Sequence, residues 1–400
     1  MAMNLTIPAN YTESIYDDVW INALSSASGQ TDLKYVVEIY RTQPSLVKIY
    51  EGKVYPEPDN KYMYFNSAAI LRNVFSEIYL PIIRPNAGYS QELNTNIEMQ
   101  IRIGTDYSGV TTLNEASGNV VALTSRPKFF NRRWNKKSVA NDIKTKFQTD
   151  RTTVPSLINN SDNFFIGFLS GEFNYSDVSG SPYIGFQSYN ANGGLINNAE
   201  TVWGLEANLL NIGPNSLFQY FGSKPNLDVC DYYIFYVRWT NTSSVAKRLN
   251  YRINKGCNQK YKTIPIHFCN RFNSFETMRF DLVSRITVDV ERKSYTKRDI
   301  LFQNTDIVYT AGNVYNENKI NYNATYNYTM KLTSDLLDDQ DWEWLEDLIE
   351  SQKIYMDDDG YFYPVTIKTT NYEISKYINN RLRPLEIEIE FNSPRLSSAR

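Results

Sequence analysis

A single histidine, His267, limits the nucleophilic chemistry open to this 400-residue chain. Any serine–histidine or cysteine–histidine scheme must use it as the base. It lies in Ile264-Pro265-Ile266-His267-Phe268-Cys269, which alternates as a strand does, so the expectation is a half-buried strand histidine rather than a catalyst. With Cys230, Cys257 and Cys269 it would complete a three-cysteine, one-histidine zinc set. No two cysteines stand close enough in sequence for a zinc knuckle, so no metal is expected and the cysteines read as reduced, partly buried thiols.

The carboxylates are equally plain. Asp357-Asp358-Asp359-Gly360 invites a calcium reading, but Tyr355 stands where a ligand would be needed and the closing glutamate is absent. A solvated hairpin turn is expected there. Glu386, Glu388 and Glu390 share one strand face, whereas glycosidic chemistry needs two carboxylates across a cleft in unlike environments. They read as a solvated or subunit-facing stripe. The strongest charge feature runs from Arg126 to Lys137, where Phe129, Phe130 and Trp134 are interleaved with Arg132 and Arg133. That mixture suits a single-strand nucleic-acid groove and equally a protein interface, where Arg and Trp dominate contacts. With a net charge of −3 and no basic half, a protein contact or surface loop is the reading adopted and nucleic acid is not expected.

Phosphate-binding loops, dinucleotide fingerprints, zinc-protease helices and nucleophile elbows are all missing from the sequence. No catalytic residue, cofactor or metal is therefore expected. The composition is 42% hydrophobic and 21% charged, which fits a folded soluble protein. Aromatic residues make up 14%, with 31 tyrosines, a bias toward strands and toward contact surfaces for protein or sugar. The N-terminus has neither a basic nor an apolar region, so no signal peptide is expected, and no run is long enough for a membrane span.

The elements that would hold these residues are mostly strands. Lys34–Tyr40 places Tyr35, Val37 and Ile39 on one face, and Leu46–Tyr50 follows. Glu51-Gly52-Lys53 and Pro56–Asn60 read as turns. Tyr62–Phe65 is a short strand, and Ser67 is placed as the cap of a helix through Ile70, Leu71, Val74 and Phe75. Residues 104–225 break into short pieces and read as a loop-rich insertion exposed for contacts. Asp231–Trp239 and Thr263–Phe268 are strong strands, and Met278–Val290 is strand-rich with a change of face near Ser284.

At the C-terminal end, Ser334 or Asp338 can cap a helix whose apolar side carries Leu337, Trp344, Leu345, Leu348 and Ile349. Ile354–Met356 and Tyr361–Ile367 then form a hairpin. In the last strand Leu385, Ile387, Ile389 and Phe391 oppose the three glutamates. The fold class expected is mainly β: several domains of antiparallel, sandwich-like or barrel-like sheet with a few short helices, ending in an α+β unit. The divisions expected are 1–125 with an extended N-terminal arm, 126–285 with an insertion, and 286–400. The arm carries Tyr16 and Trp20 and is expected to lie across a neighbouring domain or subunit.

Several of these stretches, taken in order, resemble virion proteins of phages that infect Bacteroidetes, including crAss-like phages. They are Lys34–Tyr40, Phe65–Asn73, Phe268–Thr277, Trp344–Ser351, Lys353–Tyr355 with Tyr363–Ile367, and the closing Leu385–Phe391. In the Phe268–Thr277 turn the family often has glycine at the place of Asn273 or Ser274. The resemblance implies a non-enzymatic structural component of the tail or its attachment apparatus, such as a tip, baseplate, hub or ring. It implies repeated copies around an axis, as a hexameric or dodecameric ring in contact with other tail proteins, found in the virion after synthesis in the host cytoplasm. The contact residues expected are Tyr16, Trp20, Phe129, Arg132, Arg133 and Trp134. The alternative is a host-attachment module that binds surface glycans through exposed Tyr and Trp.

Overall fold

The computed structural model describes residues 3–7, 15–16, 18–42, 45–59, 61–78, 96–123, 156–158, 162–169, 182–202, 207–214, 216–217, 221–222, 228–239, 245–253, 261–296, 300–303, 306–309, 319–337, 339–369, 383–392 and 395–398. Among these residues the chain is mostly antiparallel β-sheet with a few short helices, and the sheets remain open rather than closing into barrels. Its contacts divide it into two compact units. One comprises Met1–Cys257, His267–Thr277 and Glu346–Gln352; the other comprises Asn258–Ile266, Met278–Leu345 and Lys353–Arg400.

The first unit begins with β1 (Met3–Thr6), β2 (Trp20–Ser25), β3 (Lys34–Arg41), β4 (Val47–Val54) and β5 (Met63–Asn66). Helix α1 (Ala68–Ile78), β6 (Asn96–Tyr107) and β7 (Val110–Leu123) follow. They form two sheets, ordered β1-β2-β5 and β4-β3-β6-β7. One core lies under both: Ile15, Val19, Ile21 and Ala23 pack in the same cluster as Tyr35, Val37, Ile39 and Ile101. The described part of the N-terminal arm is thus built into this core. The buried Tyr35 hydroxyl accepts from the Ser25 amide at 3.1 Å and donates to the Lys61 carbonyl at 3.0 Å, tying the two sheets together. Burial pushes its phenol up from the ordinary value.

Two local readings change. Glu51-Gly52-Lys53 is no turn but the middle of β4. Glycine suits that place because a Cβ on Gly52 would run into the ring of Tyr50, which lies over it on the same face. At the start of α1 the Leu71 amide bonds to the Ser67 carbonyl. The Ser67 hydroxyl, however, donates to the Val19 carbonyl at 3.1 Å. The capping oxygen is instead Asn66 Oδ1, which accepts from the amides of Ala68 at 3.0 Å and Val19 at 3.1 Å.

The same unit continues with β8 (Ser156–Ile158), β9 (Phe165–Leu169), β10 (Pro182–Tyr189), β11 (Leu195–Val202), β12 (Ala207–Asn211), β13 (Tyr232–Trp239) and β14 (Val245–Ile253). A five-stranded sheet runs β11-β10-β13-β14-β8, and β9 pairs with β12. Phe164, Ile184, Phe186, Tyr233, Phe235 and Tyr251 make a second core. The glycine-rich Asn190–Gly194 stretch is the tip of the β10–β11 hairpin. There Asn190 Oδ1 accepts from the amides of Asn192 and Gly194, and Gly193 takes a φ of 77°.

The remaining strands are β15 (Ile264–Cys269), β16 (Phe275–Phe280), β17 (Arg285–Thr296), β18 (Ile300–Gln303), β19 (Asp306–Tyr309) and β20 (Lys319–Leu337). After helix α2 (Asp339–Ile349) come β21 (Ile354–Asp358), β22 (Tyr361–Ile367), β23 (Arg383–Phe391) and β24 (Arg395–Ser398). One sheet runs β16-β15-β21-β22-β23-β20-β17, with β24 also on β20, and β18 pairs with β19. The face change read near Ser284 is the break between β16 and β17. Leu385, Ile387 and Ile389 are buried on the inner face of β23, and Trp344, Leu345 and Leu348 are buried in α2.

Leu337, expected on the helix, is instead the last residue of β20. Ser334 is no helix cap either. It sits in a bulge of β20, and its hydroxyl accepts from the Leu385 amide at 2.8 Å, which holds β23 in place. Among the described residues no helix is long and apolar enough to cross a membrane.

Candidate functional site

The chemistry-bearing residues around His267 come together in the β15–β16 hairpin. Every residue of both strands is buried. His267 is fully rather than half buried, because β15 is covered on both faces. The ring of Phe165 meets the imidazole edge-on at 5.0 Å between centroids. His267 Nδ1 lies 2.9 Å from Thr277 Oγ1, which also accepts from the Phe165 amide at 3.0 Å. This binds the hairpin to β9 within the first unit.

The connecting turn is just as closed. Asn270 Oδ1 accepts from the amides of Phe272 at 3.1 Å and Ser274 at 3.0 Å, while Asn270 Nδ2 donates to the buried Glu276 at 2.5 Å. Asn273 takes a φ of 59°, the left-handed conformation that glycine enters most easily and asparagine next. Its side chain accepts from the Cys269 thiol at 3.5 Å. In the second unit Arg279 reaches Asp281 at 3.0 Å and Thr263 at 3.2 Å. Such hydrogen-bonded, buried polar groups fix one arrangement of the chain. Cys230 and Cys269 are free, buried thiols, and Cys257 lies outside the described residues. Among the described residues no three metal-ligating side chains are grouped.

The other acidic candidates form surface structure. Asp359 and Gly360 both have positive φ, 53° and 85°, and join β21 to β22 in a two-residue turn of the kind Asp-Gly favours. Lys262 bonds to Asp358 at 2.5 Å and Asp359 at 3.1 Å, and the two carboxylates raise its affinity for the proton. Of the β23 stripe, Glu386 pairs with Lys331 at 2.7 Å and Glu390 with Lys368 at 3.8 Å.

Among the candidate contact residues, Tyr16 is half-buried against the first core. Trp20 stands 52% exposed on the outer face of β2. On the neighbouring β5 that face carries the exposed Tyr64, whose ring lies 6.2 Å from that of Tyr62. Phe129, Arg132, Arg133 and Trp134 lie outside the described residues.

A mixed patch on β10, β11 and β13 was not anticipated. Arg238 grips Glu200 with two bonds, 2.9 and 2.6 Å, and stacks over Tyr183 at 4.5 Å. Tyr236 donates to the same carboxylate at 2.5 Å. The Arg238 guanidinium holds the Glu200 carboxyl below its usual range, while burial, then Glu200 itself, pushes the Tyr236 phenol up. The Tyr236 ring covers Gly185 on the adjacent strand, where a Cβ would come within 2.6 Å of it.

The surface least legible in sequence is the β17–β20 ribbon. Ten of the twelve residues of β17 are exposed and the other two half-buried, so the strand is open along nearly its whole length on both faces. Ile286 is 62% exposed and Val288 42%. Opposite them on β20 lie Met330 and Tyr328. The alternation of Ile286, Val288 and Val290 with charged residues is the only signal the sequence offered, and it is also the signal of an ordinary half-buried strand. Nothing in these arrangements brings a nucleophile, base and open cleft together; what they present to solvent is sheet edge, aromatic rings and apolar strand faces. No protein-family model matches the chain, and a search of curated proteins returns no match.

Proposed function

We propose that the chain is a non-enzymatic structural component of a bacteriophage virion, belonging to the tail or its attachment apparatus as a tip, baseplate, hub or ring protein. It acts by fitting against copies of itself, in a hexameric or dodecameric ring, and against other tail proteins. It is made in the host cytoplasm and ends in the particle, and its open sheets stack there in a sandwich-like manner. The observation that carries the reading is the split in the molecule's surface chemistry. Among the described residues the histidine, Cys230, Cys269 and the polar groups that might have done catalysis are buried in structural networks, while apolar and aromatic side chains of strands face solvent. Closed assemblies cover such faces and edges. Light scattering of the purified chain, with a binding assay on purified tails, tests the reading. A particle of several copies that joins tails is expected; a monomer at every concentration that joins none would sink it.

The exposed Trp20 beside Tyr64 and Tyr62 favours a second reading, a host-attachment module that stacks sugar rings on this face. Saturable binding on a glycan array, lost in Trp20→Ala, would favour it over the first.

A further inference from the structure

The β17 strand ends its sheet: its inner side pairs with β20, and among the described residues no strand lies on its outer side. An open edge is a template for another strand. Here both faces are also bare, with Ile286, Val288 and Tyr295 exposed. We infer that the occupant of this edge is a second copy of the same strand, laid antiparallel about a two-fold axis at Val288. The inference deepens the assembly reading above and rests on it only in requiring self-association.

The charges on β17 suit a second copy of the strand and oppose registers shifted toward its C-terminal half. With Val288 facing its own copy, Ile286 faces Val290, Arg285 faces Glu291 and Thr287 faces Asp289, each pair occurring twice. Apolar residues then line one face without interruption and opposite charges meet on the other, the pairing that stabilises antiparallel strands. Moving the axis to Asp289 sets that carboxylate against itself and Arg285 against Lys293. Moving it to Val290 sets Asp289 against Glu291. Both place like charges directly opposite, which opposes pairing. A contact of this kind is isologous and closes with two copies, so it would join one ring to another and the ring itself uses a separate contact.

The test uses the full chain. Across the axis, antiparallel Cα atoms lie about 4.5–5.5 Å apart, within the span of a disulfide. Val288→Cys under mild oxidation is expected to give a disulfide-linked dimer as its main product on a non-reducing gel. Tyr361→Cys, at a still more exposed position on a different hairpin, and the unmodified chain, whose described thiols Cys230 and Cys269 are buried, are expected to give little. Val288→Lys, which sets two cations against each other, is expected to weaken self-association roughly tenfold or more with the circular dichroism spectrum unchanged. If Val288→Cys links no better than Tyr361→Cys while the chain still self-associates, this edge is not the contact and the assembly reading stands. A chain that is monomeric throughout and joins no tails overturns both.

Discussion

Strands β16 and β17 follow one another after four residues, yet they live in opposite surroundings. Phe275-Glu276-Thr277-Met278-Arg279-Phe280 carries two charges and is buried at every position. Arg285 to Val290 alternates polar and apolar as a half-buried strand should, and is exposed on both faces. Local composition therefore does not decide burial here. What decides it is whether other elements close over the strand. Phe165, with its amide bonded to Thr277, does so at the β15–β16 hairpin; β17 has β20 on one side only. A polar residue in the first setting must find its partner inside the protein, and an apolar residue in the second remains available to a partner outside it.

Substitutions break or sharpen this contrast. The largest effect belongs to Phe268→Ala in the fully buried β15: a loss of about 3–5 kcal/mol is expected in denaturant unfolding. Asn270→Ala comes next, at about 1–3 kcal/mol, because two turn amides and the buried Glu276 lose their partner together. If that variant unfolds like the parent, the polar turn is solvated rather than closed.

The half-exposed Glu200–Arg238 pair lies between the two extremes. Its carboxyl is held down in the folded state, so its contribution is complete at neutral pH and is lost as pH falls through and below the ordinary glutamate range of ~4.3. Glu200→Gln should therefore lower the thermal midpoint at pH 7 by less than Asn270→Ala does, and the gap to the parent should narrow as the pH falls below the ordinary glutamate range. A gap that persists in acid would point to packing instead of charge. The smallest effect is expected for Ile286→Ala on β17, within about 0.5 kcal/mol for the isolated chain. A loss near that of Phe268→Ala would mean that the strand is covered in the free protein.

Much of the secondary structure was readable from the residues, and for physical reasons. The Asp359-Gly360 turn, the strands beside it and the alternating β23 each announce themselves through a strict local constraint: positive φ or a two-residue period. Gly52 misled because a glycine beneath a tyrosine ring looks the same in sequence as a glycine in a turn. β7 was hidden because Asn114 to Asn119 has poor strand preference, and its extended form is set by pairing with β6. Ser334 read as a helix cap because its hydroxyl meets a distant amide, that of Leu385, which no local window contains. The surface residues of β17 were legible as a strand and illegible as a surface, since alternation records which residues share a face and not what lies above it. In the Phe268–Thr277 turn, Asn273 stands in the left-handed conformation where glycine was looked for, which shows how one backbone demand can be met by two residue types.

Strand β20 is long: its Lys319–Tyr328 portion runs beyond the stretch paired with β23, and at about 3.4 Å per residue it reaches roughly 30 Å. A beam of that length, stiffened by β17 on one side and β24 on the other, works as a lever. A small tilt at its base becomes a displacement of several ångströms at its tip.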